Sequence, residues 1–262
     1  YHNIMSFITF CDLHDVILIS KIKNLKDKIV FSGKFKKGIN RNKNTVTKLL
    51  NLLRKNKLLM NQAFKINIKK NIPHGSGLGG GSSNAGVLLN YLNFKMKLNL
   101  NKNKIKNLAK KVGFDVPLSL ERKNVLLTGK KHDLHRIKKK FRFNILIVYP
   151  NITCSTKKIY FKNKAYSLNK SYPDFGNINN KNLINFLKKE QNDLEKTVVK
   201  IYPSIKKVIK YIKLQKGCYF SRISGSGSAC FGIFSYMKHA TNAQKMIKLK
   251  YPNYWSAVSR TI

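Results

Sequence analysis

An α+β chain in two halves is predicted by three observations. Short runs of Val, Ile and Leu, some strictly alternating, are interspersed with stretches whose apolar residues fall at helical spacing. A cationic run at Lys138, Lys139 and Lys140 marks a composition break near the middle, dividing the chain into 1–138 and 139–262. And 42% of the 262 residues are hydrophobic and 11% aromatic, enough for one large or two modest cores and too much for a disordered chain.

The elements follow in order. Residues 13–20 are rich in Val, Ile and Leu and read as a strand. Val46, Leu49, Leu50, Leu52, Leu53, Leu58 and Leu59 recur at roughly helical spacing and predict an amphipathic helix over 44–60. Phe64, Ile66 and Ile68 alternate with Lys65, Asn67 and Lys69, the pattern of a half-buried strand over 64–70. A glycine-rich turn at 73–81 precedes helices over 82–98 and 103–112. Strands are expected at 123–128 and 143–149, and a polar loop or lid at 162–182. Helices at 181–190 and 193–214 and strands at 219–223, 229–235 and 254–259 complete the chain, with no internal repeat.

Composition excludes several function classes. No run of about 18 apolar residues exists to cross a bilayer, and no secretory leader is read, so a cytoplasmic protein is expected. Cys11, Cys154, Cys218 and Cys230 lack paired spacing and read as reduced thiols, not as a zinc site. Lys+Arg 53 against Asp+Glu 10 gives a net charge of +43, which at first suggests nucleic acid. Of those cations 46 are Lys and only 7 Arg, spread over every segment of a chain that also carries 30 Asn. Base readers favour the planar Arg fork. Drift toward Lys, Asn and Ile explains the excess better than a polyanion groove, so no specific nucleic-acid partner is expected.

The most informative segment is Pro73-His74-Gly75-Ser76-Gly77-Leu78-Gly79-Gly80-Gly81-Ser82-Ser83-Asn84. Five glycines in seven positions let the main chain approach a ligand closely. Ser82, Ser83 and Asn84 are placed to cap the following helix, whose positive end favours phosphate. Gly75, Gly77 and Gly80 match a dinucleotide fingerprint literally, but that fold needs an acid about 20 positions on. No Asp or Glu lies between Asp27 and Asp115. The alternative of a Walker loop fails because no Lys follows the glycines.

Two weaker features accompany it. Ser224-Gly225-Ser226-Gly227-Ser228 lies between two strand-like runs and is equally a hairpin turn. Gly113-Phe114-Asp115-Val116-Pro117 holds the single carboxylate of residues 28–120. Asp115 is either the N-cap of a short helix opened by Pro117 or a base that takes a proton from an attacking hydroxyl. His132 and His135 lack further acids and read as loop residues, not metal ligands. Asn151-Ile152-Thr153 fits a glycosylation sequon without consequence in a chain not secreted, and Trp255 reads as a core residue.

On these residues the chain resembles the GHMP kinases. Gly-Leu-Gly-Gly-Gly-Ser-Ser-Asn at 77–84 is most similar to the branch acting on 4-diphosphocytidyl-2-C-methyl-D-erythritol. Tyr1-His2-Asn3 through Asp15, Gly113 to Pro117, Tyr149-Pro150-Asn151 through Thr156 and Tyr160, Asn192 to Glu195, and Ser224 to Cys230 resemble that branch in order. The resemblance implies an N-terminal ribosomal-protein-S5-like α/β domain that binds nucleotide and catalyses, and a C-terminal ferredoxin-like α/β domain that takes substrate. It implies transfer of the ATP γ-phosphate, with Mg2+, to the 2-hydroxyl of the diphosphocytidyl substrate in non-mevalonate isoprenoid synthesis. Pro73, His74, Gly75, Ser76, Gly77, Leu78, Gly79, Gly80, Gly81, Ser82 and Ser83 would hold the phosphates, and Asp115 would be the catalytic base.

By the same resemblance Tyr1 and Tyr160 would sandwich the cytosine, His2 would read its edge, Thr156 would lie near the substrate, and Gly225, Ser226 and Gly227 would close over it. Ring stacking of this kind contributes about 1–3 kcal/mol per base. Mg2+ would rest on the phosphates and Ser83, because carboxylates are scarce. The family's first strand carries Pro-x-Lys-x-Asn with a catalytic Lys, whereas this chain starts at Tyr1, as a fragment or processed product would. Another GHMP small-molecule kinase, a truncated inactive relic and a basic nucleic-acid binder are the alternatives.

Overall fold

The computed structural model describes residues 4–129, 133–167 and 172–262. The chain folds as two compact units. One comprises Leu13–His74 and Gly79–Arg122; the other comprises Tyr1–Asp12, Gly75–Leu78 and Lys123–Ile262. The long last piece of the latter unit begins at Lys123. The reason lies in strand pairing: β1 (Ile4–Ile8), β5 (Asn124–Gly129) and β6 (Asp133–Ile137) form one antiparallel sheet in the order β1-β5-β6, with Phe7 opposite Leu126.

The first unit is a three-stranded sheet covered by three helices. Its strands β2 (Val16–Ile22), β3 (Lys28–Ser32) and β4 (Ala63–Lys69) lie in the order β2-β4-β3, with β2 antiparallel and β3 parallel to the central strand. The alternation read in β4 puts Phe64, Ile66 and Ile68 on one face, level with Ile17 and Ile19 on one side and Ile29 and Phe31 on the other. The parallel pairing of β3 and β4 requires a crossover, which α1 (Thr45–Lys55) supplies. Asn44 starts that helix by accepting the Val46 and Thr47 amides on its side chain. Helices α2 (Gly80–Lys95) and α3 (Lys102–Val112) add Leu88, Leu89, Leu92, Leu108 and Val112 to the same core.

The second unit contains a four-stranded antiparallel sheet as well as β1-β5-β6. Strands β7 (Asn144–Tyr149), β8 (Cys218–Ile223), β9 (Cys230–Phe234) and β10 (Trp255–Arg260) lie in the order β10-β7-β9-β8. That order is the ferredoxin-like arrangement of a βαββαβ unit. Its helices are α4 (Thr156–Lys162), α5 (Asn180–Lys189), α6 (Glu195–Ile201), α7 (Pro203–Lys213) and α8 (Met237–Lys250). Ile205, Val208, Ile212, Ala240, Ala243 and Ile247 pack on Leu146, Val148 and Phe234.

Several expectations are corrected. The single helix expected over 193–214 is two, because Pro203 has no amide to continue α6 and instead opens α7. β1, β3, β6, α4 and α8 were not foreseen. His135 lies in β6, not in a loop, where its Nε2 meets Thr128 Oγ1 at 3.0 Å; His132 falls outside the described residues. Of the polar stretch 162–182, the described part lacks helix and strand only between Lys162 and Asn180. Phe175 there stacks on Phe7 with ring centroids 5.2 Å apart, and Asp193 accepts from the Ser167 amide at 2.9 Å.

Candidate active site

The glycine segment folds as a loop leading into α2, and its glycines have different tasks. Gly79 stands at the N-cap in the left-handed region (φ 69, ψ 11), and its carbonyl accepts the Ser83 amide at 2.9 Å. The helix therefore starts at Gly80, earlier than expected. Ser82, Ser83 and Asn84 sit inside its first turns and do not cap it, because the left-handed glycine supplies the turn by backbone alone. A Cβ built on Gly79 meets nothing within 4 Å, uniquely among the described glycines. The first amides of α2 have no intrahelical acceptor and, with the helix dipole, favour an anion on that open side.

Gly75 and Gly77 serve packing instead. They belong to the second unit, where a Cβ on Gly75 would lie 2.6 Å from Thr153 Cγ2 and one on Gly77 2.2 Å from the Ser224 carbonyl oxygen. The Ser224 hydroxyl donates to the Gly77 carbonyl at 3.0 Å, and the Ala229 amide donates to that of Ser76 at 2.9 Å. The two glycine segments thus meet. The Thr156 and Ser226 hydroxyls also meet, at 2.9 Å. His74 is engaged elsewhere, its Nε2 lying 2.8 Å from the Lys37 carbonyl.

The loop carrying Gly225, Ser226 and Gly227 is held from behind by the 192–195 segment. Asn192 Nδ2 donates to the Gly225 and Ile223 carbonyls at 2.8 and 3.3 Å, and Glu195 accepts the Ile223 amide at 2.9 Å. Burial pushes the Glu195 carboxyl above its ordinary value, against the opposing pull of that amide and of Arg222. Burial likewise raises the Cys154 and Cys230 thiols, which keeps them protonated and unreactive near neutral pH.

Asp115 is exposed at the head of the 3-10 helix Val116–Leu120 and makes no side-chain capping hydrogen bond to it. The position is that of the cap reading, with Pro117 in the first turn, but the side chain itself does not make the cap. The 3-10 helix is fixed to α2, the helix that the glycine loop opens. A Cβ on Gly86 would lie 3.0 Å from both Ser119 Cβ and the Val116 carbonyl, and Asn90 Nδ2 donates to the Leu120 carbonyl at 2.8 Å. Gly86 is needed for that approach, and the sequence alone did not mark it. Gly86→Ala is expected to force the pair apart and lower stability by about 1–3 kcal/mol. Thermal melting checks this, and an unchanged midpoint would show that the contact yields freely.

A buried ion pair lies beneath the start of α2, also unforeseen. Lys70 Nζ pairs with Asp15 Oδ2, their side chains 3% and 0% exposed. Of the remaining expected residues, Tyr160 is half-buried against the core around Leu146 and Val198, while its neighbour Phe161 is 86% exposed. Tyr1 and His2 lie outside the described residues. Among the described residues no group of three His, Cys, Asp or Glu is placed to hold a metal, and no helix is long and apolar enough to cross a membrane.

Comparison with known proteins extends the geometry. Residues 44–122 match GHMP kinases N terminal domain, and residues 166–253 match GHMP kinases C terminal. A 4-diphosphocytidyl-2-C-methyl-D-erythritol kinase of Pelagibacter ubique is 38% identical over 262 residues, 100% of this chain and 91% of its own length. One from Wolbachia pipientis is 33% identical over 261 residues, 97% of this chain and 88% of its own. A solved 4-(cytidine 5'-diphospho)-2C-methyl-D-erythritol kinase shares the fold with a TM-score of 0.76 at 21% identity, covering 99% of this chain and 91% of that one. Homoserine kinase from Cytophaga hutchinsonii follows at 0.71 and 18%, covering 98% and 88%. The last two likenesses speak for the fold; the first two, running the length of the chain, speak for descent. The chain belongs to the 4-diphosphocytidyl-2-C-methyl-D-erythritol kinase family of the GHMP kinases.

Proposed function

We propose that the chain transfers the γ-phosphate of ATP to the 2-hydroxyl of 4-diphosphocytidyl-2-C-methyl-D-erythritol, in the cytoplasm, as a step of non-mevalonate isoprenoid synthesis. One observation carries the reading furthest. A single helix, α2, begins at an open left-handed glycine suited to phosphate and holds against its flank the 3-10 helix headed by Asp115. An anion cradle and a carboxylate fixed to one rigid element are what phosphoryl transfer asks for, since it depends on positioning and electrostatics.

In this reading the amides around Gly79, Gly80, Gly81, Ser82 and Ser83 bind the nucleotide phosphates. Asp115 accepts the proton of the 2-hydroxyl as its oxygen bonds to the γ-phosphorus and the bond to the ADP oxygen breaks. Mg2+ would enter on the phosphates of the nucleotide, with the Ser83 hydroxyl beside them, and would screen their charge. Thr156, Gly225, Ser226 and Gly227 line the diphosphocytidyl substrate, and Tyr160 stacks on its cytosine. The free thiols of Cys11, Cys154, Cys218 and Cys230 suit a reducing compartment.

The direct test incubates the full-length protein with ATP and 4-diphosphocytidyl-2-C-methyl-D-erythritol and follows ADP release with phosphorus NMR of the product. A new phosphomonoester at the 2-position supports the proposal. Phosphorylation of mevalonate or homoserine in its place would move the chain to another branch of the GHMP kinases. The cytosine site has its own test. Tyr160→Ala is expected to weaken the diphosphocytidyl substrate by about 1–3 kcal/mol while ATP affinity holds. Equal losses for both ligands would make Tyr160 a core residue. A selective loss in Phe161→Ala instead would move the stack to the exposed neighbouring ring.

A further inference from the structure

The side chain of Asp15 is fully buried, in a chain with few acids, and the donors around it belong to one structural feature. Its Oδ1 accepts the Asn71 amide at 2.8 Å and the Ile72 amide at 2.9 Å, on the strand side of the glycine loop. Its Oδ2 accepts Asn84 Nδ2 at 2.9 Å, on the helix side of the same loop. One carboxylate therefore ties both stems of the loop together. Its charge is balanced by Lys70 Nζ, which lies beneath the first turn of α2, 3.5 Å from where a Cβ on Gly80 would stand.

We propose that Asp15 and Lys70 are positioning residues for nucleotide binding. Asp15 holds the two stems at the spacing that shapes the loop, and Lys70 cancels a negative charge that would otherwise sit under an anion cradle. The proposal rests on the reading of the loop as the ATP site. Neither side chain reaches solvent, so neither serves as a direct ligand; they act through the backbone of Asn71 and Ile72 and through α2. A buried carboxylate left without its cation is costly and repels phosphate, whereas a neutral pair of similar size is tolerated.

The experiment compares the full chain with Lys70→Met, with the charge-neutral double variant Asp15→Asn/Lys70→Met, and with Asn84→Ala. ATP affinity is measured by calorimetry well below each melting midpoint, alongside affinity for the diphosphocytidyl substrate. Lys70→Met is expected to lose about ten-fold or more in ATP affinity, with substrate affinity little changed. The double variant is expected to recover ATP binding to within about three-fold of the parent, since the unpaired charge is gone. Asn84→Ala, which loosens one stem without stranding a charge, is expected to weaken ATP by about three-fold.

Unchanged ATP affinity in Lys70→Met, or a double variant as impaired as the single, would overturn the charge-balance role. Unchanged affinity in Asn84→Ala would overturn the stem clamp. Should Lys70→Met fail to fold, the double variant and Asn84→Ala decide the matter by the same outcomes. A parent chain that does not bind ATP overturns the nucleotide reading itself. A parent that binds ATP while all variants match it overturns both the charge-balance role and the clamp, and leaves the nucleotide reading standing.

Discussion

Replacing Gly79 by Val is expected to abolish ATP binding in a calorimetric titration while the chain keeps its fold. A side chain on Gly79 meets no protein atom within 4 Å, so the open space beside it belongs to whatever α2 binds. Two methyl groups there would stand between the phosphates and the first amides of the helix. The cost to folding is backbone strain at φ 69, about 1–2 kcal/mol for a residue with a Cβ. That lowers the melting temperature by roughly 2–8 °C in a chain of this size. Gly77→Ala provides the contrast: its Cβ would lie 2.2 Å from the Ser224 carbonyl oxygen, so the fold suffers before the nucleotide does. Undiminished ATP affinity in Gly79→Val would remove the cradle at the start of α2.

The difference between those two glycines marks the limit of what the sequence could disclose. Glycine density at 75–81 announced a ligand loop, because no other residue tolerates so many special conformations. It could not say that Gly75 and Gly77 are spent on Thr153 and Ser224, since those neighbours lie far along the chain. The strands of both cores were legible where alternation was strict, as in β4, and the helices where leucines kept their spacing, as in α1. β3 was missed because Lys28 to Ser32 is too short to show a period, and β1 because it acquires its identity only by pairing with β5. α8 was missed because its small Ala240 and Ala243 make a weak apolar stripe.

The site was legible in proportion to how local its chemistry is. Asp115 stood out as a lone acid between 28 and 120, and it does head a short helix beside Pro117. Gly86 and Asn90, which fix that helix to α2, carry no local signal, because their meaning is a distance to Val116, Ser119 and Leu120. Asp15 could have been suspected on scarcity alone, but its partner Lys70 is one of 46 lysines and becomes distinct only when buried.

Asp115→Asn separates catalysis from structure most sharply, and the geometry makes the comparison fair. Asn keeps the size and the hydrogen-bonding reach of Asp but cannot take up a proton. An N-cap Asp would be replaced well by Asn, and the Asp115 side chain makes no capping hydrogen bond for the substitution to break. If Asp115 accepts the proton of the 2-hydroxyl, turnover by the full-length protein should fall by about 10²–10⁴-fold. ATP affinity should hold or improve, because a negative charge near the phosphates has gone. The readouts are single-turnover kinetics for the chemical step, calorimetry for the nucleotide and thermal melting for the fold. Near-normal turnover would defeat the assignment of Asp115 as base. A large fall in melting temperature with proportionate loss of activity would return the residue to a structural role. Loss of turnover with fold and ATP binding intact leaves proton transfer as the step that Asn cannot perform.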